Sequence, residues 1–403
     1  MVDPGKSGGR PILDGVKVVE FSHVIAGPLA GTLLADFGAD VIHVEDPSAG
    51  DPGRTMGPLK EGHGLWWKVS ARNKRSVTID LRKPAGQELA RRIAAWADVV
   101  ITNMRVATLE QWGLDWDALH AVNQKLIMLQ VTGNGMTSSR RNEPGFGKVG
   151  EARSGVVHIT GFPDGPPVHT GFSHADSTTA LMGAFAIAAA LTRRKDADFE
   201  GEWIDLALFE TLFRLIEWQV IVHDQLGMVP VRSGNQLAVA PGAVVNTFLS
   251  ADKEWITVTS GTPRSVQKIA ALLGEPPEPY IKVEDQKANA GRLDDLLREW
   301  IGASGTDECL EAMRDAEVVA SRIYTIEDIV NDEVYRERED IVSVDDEDFG
   351  SVRMQAVVPK FVNHPGRVWR TGPSLGADNE LVLTEKLGLG ADEYAQLLAD
   401  GVV

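Results

Sequence analysis

The 403-residue chain predicts an α/β protein: a doubly wound parallel sheet, with a smaller α+β unit after it. Three observations carry that expectation. Short β-branched runs alternate with helical segments over the first 130 residues, and strand–helix–strand repeats close into a parallel sheet with right-handed crossovers. Loops containing Gly or Pro follow the strands, at the edge where such sheets bind ligands. Near residue 229 the composition changes to a Gly/Pro-punctuated connection, and a hairpin signal follows it.

The elements read in order as follows. Residues 16–21 form a buried strand, 29–37 a helix stopped by Gly38, and 40–45 the next strand, ended by Asp46 and Pro47. A second cycle has strand 76–80, helix 84–96 with Pro84 at its first position, and strand 98–102. A third has helix 114–122 and strand 126–131. The apolar run 180–191 reads as a buried helix ending near Arg194, too short to span a bilayer. Residues 202–207 are expected to open a long helix reaching about Gln225. Residues 247–250 and 255–259 pair as a hairpin across 251–254, and helices follow at 265–273 and 293–301. The acid-dense stretch 326–349 reads as solvated surface. Strand-like residues return at 351–361, and a helix closes the chain from about Ala391.

Bulk composition excludes some classes. Apolar residues make up 43% and charged residues 24%, an ordinary globular balance with ample chain for a large core. The formal charge of −18 argues against nucleic acid or an anionic membrane as partner, so a polyanionic ligand needs a local basic pocket. Cys309 is the sole cysteine, which excludes an internal disulfide and a cysteine zinc cluster; it reads as packed on a helix. Residues 1–10 carry no apolar run, so no leader is expected and the cytoplasm is the expected compartment. The nine histidines show no HExxH spacing and there is no GxSxG elbow, so neither a metal site nor a serine triad is expected.

Four places could carry chemistry. Asp176 closes the Gly/Pro-rich stretch 161–176 and precedes the apolar helix. The first N–H groups of a helix lack internal partners and the dipole is positive there, so a carboxylate at that point is expected to stay ionised and oriented. An ordinary N-cap is the alternative. The loop His23, Val24, Ile25, Ala26 follows the first strand; with only Gly27 and Gly31 it is no GxGxxG fingerprint. The cluster Lys68, Arg72, Lys74 and Arg75, with Arg82 and Lys83 nearby, reads either as a phosphate grip or as a solvated turn. Asn103, Met104 and Arg105 follow the strand 98–102. His174, two residues before Asp176, reads as a loop residue or a helper.

Together these pieces resemble the class III CoA-transferases, the group that includes formyl-CoA transferase and carnitine CoA-transferase. The resemblance rests on LDGVKVVEFSHVIAGP at 13–28, FGADVIHVE at 37–45, GD at 50–51 and NKRS at 73–76. It continues through DVVITN at 98–103, GFPDGPP at 161–167, Asp176 with its apolar helix, and GPSLG at 372–376, and so covers nearly the whole chain. It implies Asp176 as a carboxylate nucleophile. It implies CoA contacts from His23, Val24, Ile25, Ala26, Asn73, Lys74, Arg75, Asn103, Met104 and Arg105. CoA is then a substrate, and no tightly bound cofactor is implied. The implied architecture is a Rossmann-like large domain (1–225 completed by 326–403), a small domain (226–325), and an interlocked, ring-like homodimer.

This chain departs from the family pattern in places. His174 and Ala175 replace a Leu-Gly pair before the nucleophile, and Asp46 and Gln111 stand where formyl-CoA transferase has arginines, with Arg105 or Arg54 as stand-ins. The acid of its Tyr-Glu pair becomes Gly147, which moves any helper role to Glu151. Its glycine-rich flap is replaced by 238–242, and backbone amides near Gly234 or Gly242 are the expected oxyanion donors. The implied reaction moves CoA between carboxylic acids through an aspartyl-CoA thioester. The GFG variant at 145–147 points faintly to succinyl-CoA and small dicarboxylates. Two alternatives stay open. An acyl-CoA racemase needs a second base, where this chain has Phe146 and Gly147. A non-catalytic CoA-binding protein would use Asp176 only as a cap.

Overall fold

The computed structural model describes residues 9–237, 239–240 and 242–403. The chain forms two compact units: Met1–Gly155, Thr170–Ile216 and Val334–Val403 in the first, Val156–His169 and Glu217–Glu333 in the second. The divisions fall at 216/217 and 333/334 where the sequence suggested 225/226 and 325/326, and 156–169 goes with the second unit.

The first unit is built on six parallel strands, β1 Lys17–Phe21, β2 Asp40–Glu45, β3 Lys74–Thr78, β4 Val99–Thr102, β5 Ile127–Thr132 and β6 Glu202–Ala207. Their order is β3-β2-β1-β4-β5-β6. This is the doubly wound order, and it reverses between β1 and β4, so a ligand crevice is expected beyond the carboxyl ends of those two strands. Strands β1, β2, β4 and β5 are buried on both faces, which is why they read as largely apolar runs, whereas β6 at the sheet edge is exposed or half-buried up to Ala207. On one face Val19, Ile42 and Val100 meet Leu89 and Ile93 of α2 Pro84–Trp96. On the other, Val18, Ile101 and Leu129 meet Ala30 and Leu34 of α1 Ala26–Asp36 and Ala180 and Ile187 of α4 His174–Arg193, with α3 being Gly147–Arg153.

Three expectations need correction. Residues 202–207 form strand β6, paired from Ile127↔Glu202 to Thr132↔Ala207; helix begins only at α5 Leu208–Leu215. The EWIDLA run carries no period-two alternation of its own; the open sheet edge at β5 was there to receive it. Helix α4 starts six residues before the apolar run, at His174, because Ser173 takes the N-cap position and polar residues fill the first turn. It is therefore 20 residues long, and by length and composition alone could cross a bilayer. The acid-dense stretch is folded: it holds helix Ile326–Asn331 and the hairpin of Ile341–Asp346 with Gly350–Gln355, in which Val344 and Asp346 are buried.

The second unit carries an antiparallel sheet of Val244–Leu249, Trp255–Ser260 and Ala320–Arg322. Phe248 and Ile256 pack with Leu293, Leu297 and Cys309 from the helices Val283–Ala303 and Thr306–Asp315.

Candidate active site

Beyond β1 the chain turns sharply. Val24 sits at φ 66, a left-handed conformation that a β-branched residue adopts only when held there. Its N–H donates to both Asp51 oxygens at 3.1 Å. One residue earlier the His23 N–H donates to Asn103 Oδ1, and Asn103 Nδ2 donates back to the His23 carbonyl, both at 2.8 Å. Thus Asn103, just past β4, clamps the loop that follows β1. Behind Asp51 lies a buried chain of charge. His43 Nε2 is 3.2 Å from Asp51, its Nδ1 is 2.6 Å from Glu20, and Lys74 Nζ is 3.0 Å from the same Glu20 oxygen. Burial works against the imidazolium, but the Asp51 and Glu20 carboxylates outweigh it and push His43 up to about 9. Burial likewise works against the Asp51 anion, and the bond from His43 with the Gly53 and Val24 amides holds it at about 2.

Asp176 is the third residue of α4. Among the described residues no other residue hydrogen-bonds its carboxylate. It presses instead on the start of α3: a Cβ on Gly147 would lie 1.9 Å from Asp176 Oδ2. Burial first, then the negative charge of Glu151, push its carboxyl up to about 6, with Lys148 pulling the other way. The helix start was expected to keep this group ionised; at about 6 it is still largely ionised at neutral pH, but burial holds it above the ordinary value of 3.8.

A cavity of about 510 Å³ lies at the carboxyl edge of the sheet, within the range of small-molecule sites. Its wall joins His23, Val24, Ile25 and Ala26 to Asn103, Met104 and Arg105, then to residues 141–148, Ser173, Asp176 and Leu208. Burial holds the His23 imidazole below its usual range, so it is neutral at pH 7. Arg105 is exposed, and among the described residues no carboxylate pairs with it. A larger cavity of about 670 Å³ in the second unit, lined by Arg314, Arg322, Asp328 and others, gathers none of the sequence-predicted residues.

A profile of CoA-transferase family III matches residues 13–379. The chain belongs to this family. It is 40% identical, over 98% of both chains, to the succinyl-CoA–D-citramalate CoA-transferase of Chloroflexus aurantiacus. It is 32% identical to the succinate–glutarate CoA-transferase of Agrobacterium fabrum, over 93% of this chain and 96% of that one. Among solved structures, a CaiB/BaiF family protein from Brucella suis superposes with a TM-score of 0.82 at 31% identity, covering 93% of this chain and 99% of the other.

For a class III CoA-transferase, the structure sorts the sequence-predicted residues into two groups. His23, Val24, Ile25, Ala26, Asn103, Met104, Arg105 and Asp176 meet at one cavity. Asn73, Lys74 and Arg75 have their side chains engaged elsewhere. Asn73 Nδ2 donates to Asp36 and to the Arg367 carbonyl, each at 2.8 Å, and its Oδ1 accepts the Trp369 N–H. Lys74 is 1% exposed and bonded to Glu20 and Pro28. Arg75 pairs with Asp40 at 2.7 Å. Arg72 pairs with Asp36 and Lys68 with Asp346 and Asp348. The expected phosphate grip is therefore an internal ion-pair network, and residues 73–75 do not line this cavity. Arg54 is likewise held by Glu45, which leaves Arg105 as the cavity's stand-in cation. The Gly234 amide donates to the Gly161 carbonyl within the second unit, so it is not a free oxyanion donor. In the replaced flap, Ala238 and Pro241 lie outside the described residues. Sequence reasoning missed Gly147 as the seat of Asp176 and Lys148 as partner of Glu151; the KxxE spacing at 148–151 was the available signal.

Proposed function

We propose that the chain moves CoA from succinyl-CoA to a small dicarboxylic acid through a covalent thioester on Asp176. One observation carries this: a carboxylate without a hydrogen bond from any other residue, among the described residues, shares a cavity with the clamped loop 23–26 and the cation Arg105. The names of the relatives, which pair succinyl-CoA or succinate with citramalate and glutarate, support the donor and acceptor classes.

The steps balance without water or a net proton. An Asp176 oxygen bonds to the donor's thioester carbon and the C–S bond breaks, giving a mixed anhydride and CoA thiolate. The thiolate attacks Asp176 Cγ and releases succinate, leaving aspartyl-CoA. The acceptor carboxylate attacks the same carbon, forming a second anhydride and freeing thiolate. The thiolate takes the acceptor's acyl carbon, and Asp176 returns as carboxylate. One difficult exchange becomes four displacements at activated carbonyls. His23 to Ala26, Asn103, Met104 and Arg105 would hold CoA. Exposed Leu181 and Phe185 on α4 support a second copy of the chain as partner.

Incubation with succinyl-CoA followed by hydroxylamine or borohydride tests the reading. Modification confined to Asp176 is expected. Asp176→Ala and Asp176→Asn are expected to lose exchange by at least about 10³-fold. Undiminished exchange in either variant sinks the proposal.

A further inference from the structure

Naming Asp176 as nucleophile leaves open what seats it and what its surroundings do to its charge. Lys148 and Glu151 lie one turn apart on α3. Lys148 Nζ is 3.0 and 3.1 Å from the two Glu151 oxygens. It also reaches the carbonyls of Thr170 at 3.0 Å and Phe172 at 2.9 Å. An ammonium has three protons, so this one is saturated by protein acceptors. Glu151 is 1% exposed and also accepts the N–H of His174, the first residue of α4, at 3.1 Å. The pair therefore stitches α3 to the segment that delivers Asp176, while Asp176 itself rests on Gly147 at the start of the same helix.

We infer that Lys148 and Glu151 are a positioning couple for Asp176: they fix the start of α4 against α3, and the Glu151 charge opposes the free Asp176 carboxylate, so that acylation relieves a repulsion. This rests on Asp176 being the nucleophile. Each covalent step converts the Asp176 anion into a neutral anhydride or thioester while the charge departs on thiolate or carboxylate. A fixed neighbouring anion raises the resting carboxylate relative to both intermediates, and Lys148 limits how far. His174 on α4, whose backbone N–H Glu151 holds, is outside the cavity lining; the other charged or titratable groups on that lining are His23 before α1, Arg105, Arg141 and Glu143. Glu210 on α5 is turned away, bonded to the Ala207 N–H at 2.9 Å. None of these is bonded to Asp176 or ties its helix to α3 as Lys148 and Glu151 do, among the described residues. The raised carboxyl of Asp176, with burial as its first cause and Glu151 its second, agrees with the geometry.

The test is the pH dependence of kcat/KM for succinyl-CoA in the full chain, with the amount of hydroxylamine-trapped enzyme. Glu151→Gln keeps one acceptor oxygen, able to serve Lys148 and the His174 N–H as Oε1 does, but loses the second and removes the charge. Its acid limb should move down by about one pH unit and trapped enzyme should fall several-fold, with KM little changed. Lys148→Met should move the limb up by a similar amount. Glu151→Asp, which keeps the charge, should return the limb toward the parent. Limbs superimposable on the parent in both Glu151→Gln and Lys148→Met, even with reduced rates, overturn the inference. Should Glu151→Gln not fold, the upward move in Lys148→Met decides alone. Asp176→Asn, run alongside, separates the two readings: its retained activity sinks the nucleophile, whereas its loss with unmoved limbs sinks only the couple.

Discussion

Asp176 stands in the first turn of a long helix, yet its carboxylate is turned onto Gly147 and toward a cavity. Its raised carboxyl has two consequences. If Asp176 is the nucleophile it must be ionised, so kcat/KM should fall about tenfold per pH unit below a limb near pH 6. A raised value also means the native state holds this proton more tightly than the unfolded chain. That contribution to stability is full below the ordinary value of 3.8 and is lost as pH rises through about 6. Asp176→Asn should therefore melt higher than the parent at pH 7–8 while being inactive; an unchanged or lower melting point would count against a strained carboxylate. Gly147 offers a cleaner separation of activity from stability. Gly147 opens α3, and the nearest atoms an added Cβ would meet all belong to the Asp176 side-chain end, so Gly147→Ala should fold normally. The added methyl would occupy the space of Asp176 Oδ2, and a displacement of about 1 Å is expected to lower kcat roughly 100-fold.

The loop between β1 and α1 is held by neighbours distant in sequence. Asn103 grips both backbone groups of His23, and Asp51 fixes the left-handed Val24. Asn103→Ala leaves two backbone groups without partners, a loss of about 1–3 kcal/mol. If the loop binds CoA, KM for the thioester should rise roughly tenfold or more with kcat little altered; a pure kcat effect would place Asn103 elsewhere in the reaction. The same element explains why the basic run misled. A chain with 58 acidic side chains supplies a carboxylate for nearly every cation that approaches the sheet. Asp36, Asp40 and Glu20 reach Arg72, Arg75 and Lys74 across 35–54 residues of sequence, a pairing no local pattern reveals.

Across the molecule, the chain of Lys74, Glu20, His43 and Asp51 places four charges beneath the ligand edge, each no more than 2% exposed. Removing one partner of a buried ion pair is strongly destabilising, so Lys74→Met should lose roughly 3 kcal/mol or more, read as a lower denaturation midpoint. His43 is held above the physiological range, at about 9. Because its folded value is raised, its contribution is full below 6.5 and is lost as pH rises through about 9. Melting temperature should decline from pH 6.5 to 9 in the parent and be flatter there in His43→Gln; parallel curves would remove His43 from that role. The parallel sheet and most of its strands were legible in β-branched runs such as 16–21, 40–45 and 126–131. Strand β6 was not, because EWIDLA lacks a two-residue alternation, and only the unpaired neighbour at β5 makes it a strand.

Residue order along the chain was enough to specify the α/β class, the position of Asp176 at a helix start, and the loops that meet at the ligand edge. These are local matters, since side-chain period, Gly and Pro placement and capping act within a few residues. Which cations face a ligand, how acidic Asp176 is, and why position 147 must lack a side chain were settled by folding. Each depends on burial and on contacts between segments far apart in the chain, where a carboxylate that is ordinary in water becomes, once desolvated beside another, a weaker acid.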